Sequence, residues 1–273
     1  MFQIGNAAWG LRNMPLEEKL ALTSRMGLPL LELSIGGHSA DFLTADATDE
    51  QIRQVRDLYQ KYKISPLCGC TGNDFTGETV QKNLDHVKKI IAIAEKVGVR
   101  YLRIFAGFSS DSVVIGERFQ NMLNALKEAA QFAMRHNVIL AVETHGGPKK
   151  TNEGATLYVG TVTTRIDYWK NILETGVKML FDPANLAAVG DGNPWAFYQA
   201  FARNVAVIHL KDFKDIPGGL TPVACGEGRL DWSCMKETLK EFQGPVLLEY
   251  EIPEDIEDGL KRSLAFLLEK MGK

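Results

Sequence analysis

Short apolar runs rich in Val, Ile and Leu alternate along the chain with longer stretches whose apolar residues recur every three to four positions. The first pattern reads as buried strand and the second as amphipathic helix. FQIGNAAW (2–9) precedes a helix near 15–26, and LPLLELSI (28–35) precedes one over 46–62. In the latter Ile52, Val55 and Leu58 share a face, and Asp46 or Thr48 caps the start. ISPLCGC (64–70) leads to a helix at 79–97, VRYLRIFAG (99–107) to 113–136, and NVILAVETH (137–145) to 161–175. VKMLFD (177–182) leads to a shorter helix near 194–202, NVAVIHLKD (204–212) to 232–242, and GPVLLEYE (244–251) to 255–271. The stretch 146–160, rich in Gly, Lys and polar residues, reads as an open loop.

The pattern amounts to eight strand–helix units, each about thirty to forty residues long, the length of one βαβ element. Helices returning between short apolar strands imply a parallel sheet covered on its outer face. Eight units in 273 residues favour closure into a (β/α)₈ TIM barrel of the α/β class. An open doubly wound sheet would want a glycine-rich first turn. GxGxxG is absent after the first strand and GxxxxGK[ST] is absent throughout; GCTGND (69–74) is the nearest turn and lacks the fingerprint. No low-complexity tract or charge block marks a linker, so one TIM-barrel domain is expected over 1–273.

Composition narrows the function classes. A net charge of −3 supplies no positive field for nucleic acid, and no 18-residue apolar run is free of charges, which argues against a membrane partner. MFQIGNAAWG lacks a basic segment followed by an apolar one, so a cytoplasmic location is expected. Of the four cysteines, Cys68 and Cys70 are one residue apart rather than two, and with Cys225 and Cys234 they read as filler.

Charged residues inside barrel strands need a partner or a task. Four late strands carry one near the C-terminal end, where barrel enzymes place their sites: Glu143 in LAVETH, Asp182 in MLFDPAN, His209 in AVIHLKD and Glu249 in VLLEYE. Taken singly, each reads as a salt bridge at the rim. Together, three carboxylates around an imidazole repel unless a divalent cation joins them, and oxygen with imidazole suits Mn²⁺, Mg²⁺, Co²⁺ or Zn²⁺. Strand period adds His145, Lys211 and Glu251, each two residues further along, while Glu32 and Arg103 are inward candidates from early strands. Lys211 reads either as a ligand for a substrate carboxylate or phosphate or as the ion-pair partner of Glu251. Trp9, Phe105, Phe108 and Trp232 are candidate walls over a sugar, or simple packing. His86 and His136 fall in helices and read as solvated; His38 is left open.

The order RMGLPLLELS, KIIAIAEKVGVRYLRIFAG, LAVETHGG, FDPANLAAVG, VIHLKDF and GEGRLDWSCMKETLKEFQGPVLLEYE resembles the xylose isomerase-like barrel superfamily, in its sugar phosphate isomerase/epimerase branch (the endonuclease IV-type barrels). The resemblance implies one divalent metal, commonly manganese, on Glu143, Asp182, His209 and Glu249. It further implies that Glu143 and Glu249 move a proton at the carbon beside a carbonyl while the metal stabilises the enediolate. It places His145 towards the substrate, and Asn185 at a substrate position where many epimerases have histidine. The expected function is thus metal-dependent isomerisation or epimerisation of a keto sugar or sugar-acid derivative. The alternatives are a decarboxylase or dehydratase of an oxo-sugar acid or keto-cyclitol, suggested by Lys211, Arg103 and His145, and a non-catalytic sugar-binding barrel. A trinuclear zinc nuclease is disfavoured by five histidines in all, two of them on helices. The partner expected is a small carbohydrate, and a homo-oligomer is compatible with the sequence.

Overall fold

Each apolar run forms a strand of one parallel sheet. The computed structural model describes residues 2–37, 41–151, 154–190 and 193–272; His38 lies outside them. The sheet strands are β1 (Gln3–Asn6), β2 (Leu30–Leu31), β3 (Leu33–Ser34), β4 (Cys68–Cys70), β5 (Tyr101–Ile104) and β6 (Ile139–Glu143). After the hairpin strands β7 (Gly147–Lys150) and β8 (Thr156–Val159) come β9 (Lys178–Phe181) and β10 (Val205–Leu210). A second hairpin, β11 (Asp212–Ile216) and β12 (Gly219–Val223), precedes β13 (Pro245–Leu248). The sheet order is β2-β1-β13-β10-β9-β6-β5-β4-β3, with every pair parallel. Because β2 and β3 are the two halves of one strand interrupted at Glu32, that order closes on itself. The fold is a (β/α)₈ barrel.

The period-2 alternation of the strands stacks the barrel interior in layers. Leu30, Cys68, Ala141, Leu180, Val207 and Leu247 pack together as an apolar floor. Two residues onward from these stand Glu32, Cys70, Glu143, Asp182, His209 and Glu249. Two further on, Ser34, His145, Lys211 and Glu251 reach the cavity wall. Chemistry is thus layered directly on a dry plug, and the plug keeps water from reaching the polar layer from below.

The long helices Leu16–Arg25, Asp49–Tyr62, Val80–Val97, Gly116–Arg135 and Ile256–Met271 form where the 3.6 period is strongest. Thr48, not Asp46, caps the second: its hydroxyl accepts from Gln51 N at 3.2 Å and its own N–H donates to Gln51 Oε1 at 2.9 Å, a reciprocal capping box. Three expected helices differ. The 161–175 helix is two 3₁₀ turns, Val162–Thr164 and Ile166–Tyr168, followed by Trp169–Glu174, because Thr161, Thr163 and Thr164 spend their hydroxyls on local backbone and neighbouring side chains. The helix near 194–202 is preceded by another, Pro183–Ala188, and that near 232–242 shrinks to Met235–Thr238. The stretch 146–160 is no open loop: β7 and β8 pair antiparallel and join the β11–β12 hairpin through Leu220 and Thr156.

Among the described residues no helix is long and apolar enough to cross a membrane. We expect the barrel to unfold in one transition, since half a ring carries no closed plug; calorimetry checks this, and two separately melting proteolytic fragments would contradict it.

Candidate metal centre at the barrel mouth

Glu143, Asp182, His209 and Glu249 each offer a ligand atom, and all four atoms lie within 4.8 Å of one another. The residues are 0–4% exposed. Asp182 shows how local folding aims one of them. It is the N-cap of Pro183–Ala188, its Oδ1 accepting from Ala184 N at 2.9 Å and Asn185 N at 3.1 Å. Proline at the first helical position needs no N–H partner there. Capping occupies Oδ1 and leaves Oδ2 in the cluster without a hydrogen-bond partner. Thr144 fixes the same strand end, donating to Asp182 O and accepting from Asp182 N.

Glu143 accepts from Asn185 Nδ2 at 3.0 Å, and its Oε2 stands 3.4 Å from Arg103 Nε. Asn185 is fully buried, holding Glu143 rather than facing the cavity. Arg103 also donates to Thr71 O at 3.2 Å and lies 4.3 Å from the Phe105 ring centre. Lys211 Nζ donates to Glu249 Oε2 at 2.6 Å and Glu251 Oε1 at 2.9 Å, and lies 3.2 Å from Asp182 Oδ2. Of the two readings of Lys211, the ion pair with Glu251 is therefore present, with Glu249 added to it. Glu32 Oε1 faces His209 Nε2 at 3.5 Å, and His209 Nδ1 is 3.7 Å from Glu249 Oε2.

These surroundings separate the two glutamates. Burial raises the Glu143 carboxyl against the pull of Arg103, and nearby Glu249 adds to the rise. Burial would do the same to Glu249, but Lys211 and His209 outweigh it and hold that group well below the usual range. Burial raises Asp182 as well, opposed by Lys211. Five carboxylates (Glu32, Glu143, Asp182, Glu249, Glu251) face two permanent cations, Arg103 and Lys211. That excess of negative charge, with Asp182 Oδ2 and both ring nitrogens of His209 buried and lacking hydrogen-bond partners, is the environment a divalent cation satisfies. The donor set of carboxylate oxygens and one imidazole fits it, and the cluster can bind such a metal.

Above the cluster opens a cavity of about 730 Å³. Trp9, Phe105, Phe108 and His145 line it, with Lys150 and Tyr158 from the β7–β8 hairpin. Trp232, a candidate wall, is instead buried against Asp212. Burial lowers His145 to about 3, with Lys211 acting in the same direction, so the ring is neutral at neutral pH. Its Nδ1 bonds the Gly146 carbonyl, which can only accept, so Nε2 carries the free lone pair. Its backbone is tied to the threonines that break the expected helix: His145 O accepts from Thr161 Oγ1 at 2.6 Å and Thr163 Oγ1 at 3.1 Å. His86 and His136 are half-buried, on Thr71 and Glu95 respectively.

Sequence reasoning missed Asp212, beside Lys211. One carboxylate collects five donors: the amides of Phe213, Gly226, Gly228 and Leu230, and the Trp232 indole, at 2.9–3.2 Å. A Cβ at Gly228 would lie 2.3 Å from Asp212 Oδ1, which is why the Gly-Glu-Gly loop is glycine there. The signal was the acid following Lys211 together with the GEGRLDW run. Asp212→Ala should cost on the order of 3–5 kcal/mol by leaving charge-assisted donors unpaired. A shift of the urea midpoint at constant slope checks it, and an unchanged midpoint would contradict the anchoring role.

A closed parallel barrel with three carboxylates and an imidazole converging at its C-terminal strand ends defines a (β/α)₈ protein with a candidate metal site. The chain belongs to the xylose isomerase-like TIM barrel family, whose profile matches residues 20–270. It is 24% identical over 241 residues to the L-ribulose-5-phosphate 3-epimerase UlaE of Escherichia coli O157:H7, covering 85% of this chain and 81% of that one. Among solved structures it is similar to an IOLI protein with a bound zinc atom, at TM-score 0.76 and 18% identity, covering 99% and 98% of the two chains. It also resembles D-allulose 3-epimerase from Methylomonas sp., at TM-score 0.75 and 13% identity, covering 98% of each.

Proposed function

We propose that this chain is a divalent-metal-dependent isomerase or epimerase of a keto sugar. The observation that carries the reading is the buried convergence of Glu143, Asp182, His209 and Glu249 beneath a cavity walled by aromatic rings. Those four residues would hold the metal; three oxygens and one imidazole suit Mn²⁺, Mg²⁺, Co²⁺ or Zn²⁺, and the family resemblance favours Mn²⁺. A bound cation there supplies Lewis acidity, polarising the substrate carbonyl and acidifying the neighbouring C–H.

The chain's own groups account for the rest. Glu143 and Glu249 stand on strands separated by β9 and β10, so a planar enediolate between them presents one face to each. One glutamate takes the proton from the carbon beside the carbonyl, and the other returns a proton from the opposite face. Asn185 and Arg103 hold Glu143, and Lys211 holds Glu249, so neither carboxylate has to reorient during the transfer. His145 Nε2 accepts from a substrate hydroxyl, and Phe105, Phe108 and Tyr158 cover the apolar face of the sugar. The similarity to an L-ribulose-5-phosphate 3-epimerase supports the same reading.

A lyase acting on an oxo-sugar acid would want a free cation for the substrate carboxylate. Arg103 is engaged by Glu143 and Thr71, and Lys211 by Glu249 and Glu251, which favours a neutral sugar at the reacting end and leaves Arg12 and Lys150, elsewhere on the wall, for any charged group further along the substrate. The test is incubation of the Mn²⁺-loaded protein in D₂O with fructose, tagatose and L-ribulose 5-phosphate. Deuterium entering the carbon next to the carbonyl supports the proposal. Release of CO₂ or water from keto acids, with no exchange in any ketose, moves the assignment to the lyase.

A further inference from the structure

Glu32 belongs neither to the four-residue ligand set nor to the cavity wall. It is 2% exposed, at the break between β2 and β3, and β1 and the residues after it fix it twice. Its N–H donates to Asn6 O at 2.9 Å, and its Oε2 accepts from Ala8 N at 3.0 Å. The other oxygen, Oε1, has no hydrogen-bond partner and faces His209 Nε2 at 3.5 Å. On the opposite edge of the ring Nδ1 looks into the ligand cluster, 3.7 Å from Glu249 Oε2. An imidazole between a tethered carboxylate and a set of metal ligands serves both neighbours in one tautomer only: the proton towards the carboxylate, the lone pair towards the metal.

We propose that Glu32 is a positioning residue whose carboxylate holds the Nε2–H of His209 and thereby presents Nδ1 to the divalent metal. The inference rests on the metal-centre reading above and adds to it the ring atom that binds and the group that selects it. The backbone tether matters because a carboxylate held by Ala8 cannot follow a rotating ring, so ring rotation breaks the contact. A carboxylate on the distal nitrogen also makes the ligating nitrogen more basic, and loss of such a partner costs about 10–100-fold in metal affinity. A sugar-binding role for Glu32 would need it on the cavity wall, where it is not.

The experiment combines Mn²⁺ titration calorimetry on the full chain with ¹⁵N-histidine NMR of the Zn²⁺-loaded protein. In the wild type, His209 should show a metal-bound Nδ1 and a protonated Nε2; metal on Nε2 overturns the proposal without any variant. Glu32→Leu should weaken Mn²⁺ binding about 10–100-fold and randomise the ring. Glu32→Gln offers one acceptor oxygen to the two donors that face it, Ala8 N and the ring, so its amide N–H group displaces one of them and binding should weaken as well. Wild-type affinity in either variant overturns the positioning role while leaving the metal centre standing. Failure of the wild type to take up Mn²⁺ overturns both. Should Glu32→Leu fail to fold, the wild-type spectrum and the Gln variant still decide.

Discussion

Glu249→Gln and Glu143→Gln are each expected to lower C–H exchange on the turnover substrate by about a hundred- to ten-thousandfold, the contribution of one positioned general base or acid. The size follows from the geometry. Proton removal from one face and delivery to the other require two carboxylates in fixed places, and Glu143 and Glu249 are the two among the proposed metal ligands whose strands flank the site. His145 is neutral and turned to Gly146, while Lys211 is held by Glu249 and Glu251. The two variants should also differ. Glu143→Gln keeps an amide oxygen for Asn185 Nδ2 but loses the ion pair with Arg103; Glu249→Gln removes a charge from Lys211, which retains Glu251. Metal content and sugar binding should be measured beside exchange, because these residues are proposed to serve both roles. A Glu249→Gln protein that holds metal and exchanges at the wild-type rate would end the two-glutamate mechanism.

The wild-type chain incubated with Mn²⁺ is expected to carry close to one metal per chain by elemental analysis, and His209→Ala and Asp182→Asn should lose most of it. Metal at a hundredfold excess over its dissociation constant should stabilise the fold by about 2.7 kcal/mol, absent in both variants. Asp182→Asn is the more informative of the two. Its amide oxygen can still cap Pro183–Ala188, and Lys211, which loses Asp182 Oδ2, keeps Glu249 and Glu251, so metal-free stability should fall little. Loss of metal with stability retained separates a binding role from a structural one. Metal content unchanged in both variants would dismiss the site.

The sequence by itself determined most of the layering. Runs such as VAVIHLK and PVLLEYE spell out, at alternate positions, floor, polar layer and mouth, because a strand's two-residue period converts spacing directly into depth along the barrel. It also determined the four converging residues, since a charged side chain inside an otherwise apolar run stands out by its cost of burial. The long helices were equally legible, although the choice of Thr48 over Asp46 as a cap came only with the Gln51 contacts. What only the tertiary structure decided concerns partners supplied by other elements. Strand position pointed Glu32 at the site and the family resemblance pointed Asn185 there, but their depth depends on which groups reach them: Ala8 and His209 for one, Glu143 for the other. Asp212 drew no reading from the sequence, because its role depends on the loop over 226–232 folding back onto it. The threonines at 161–164 read as helix, yet their hydroxyls bind the His145 backbone, a contact across sixteen or more positions that no local propensity contains. Local pattern reports what a residue can bury; the closed ring of strands decides what it is buried against.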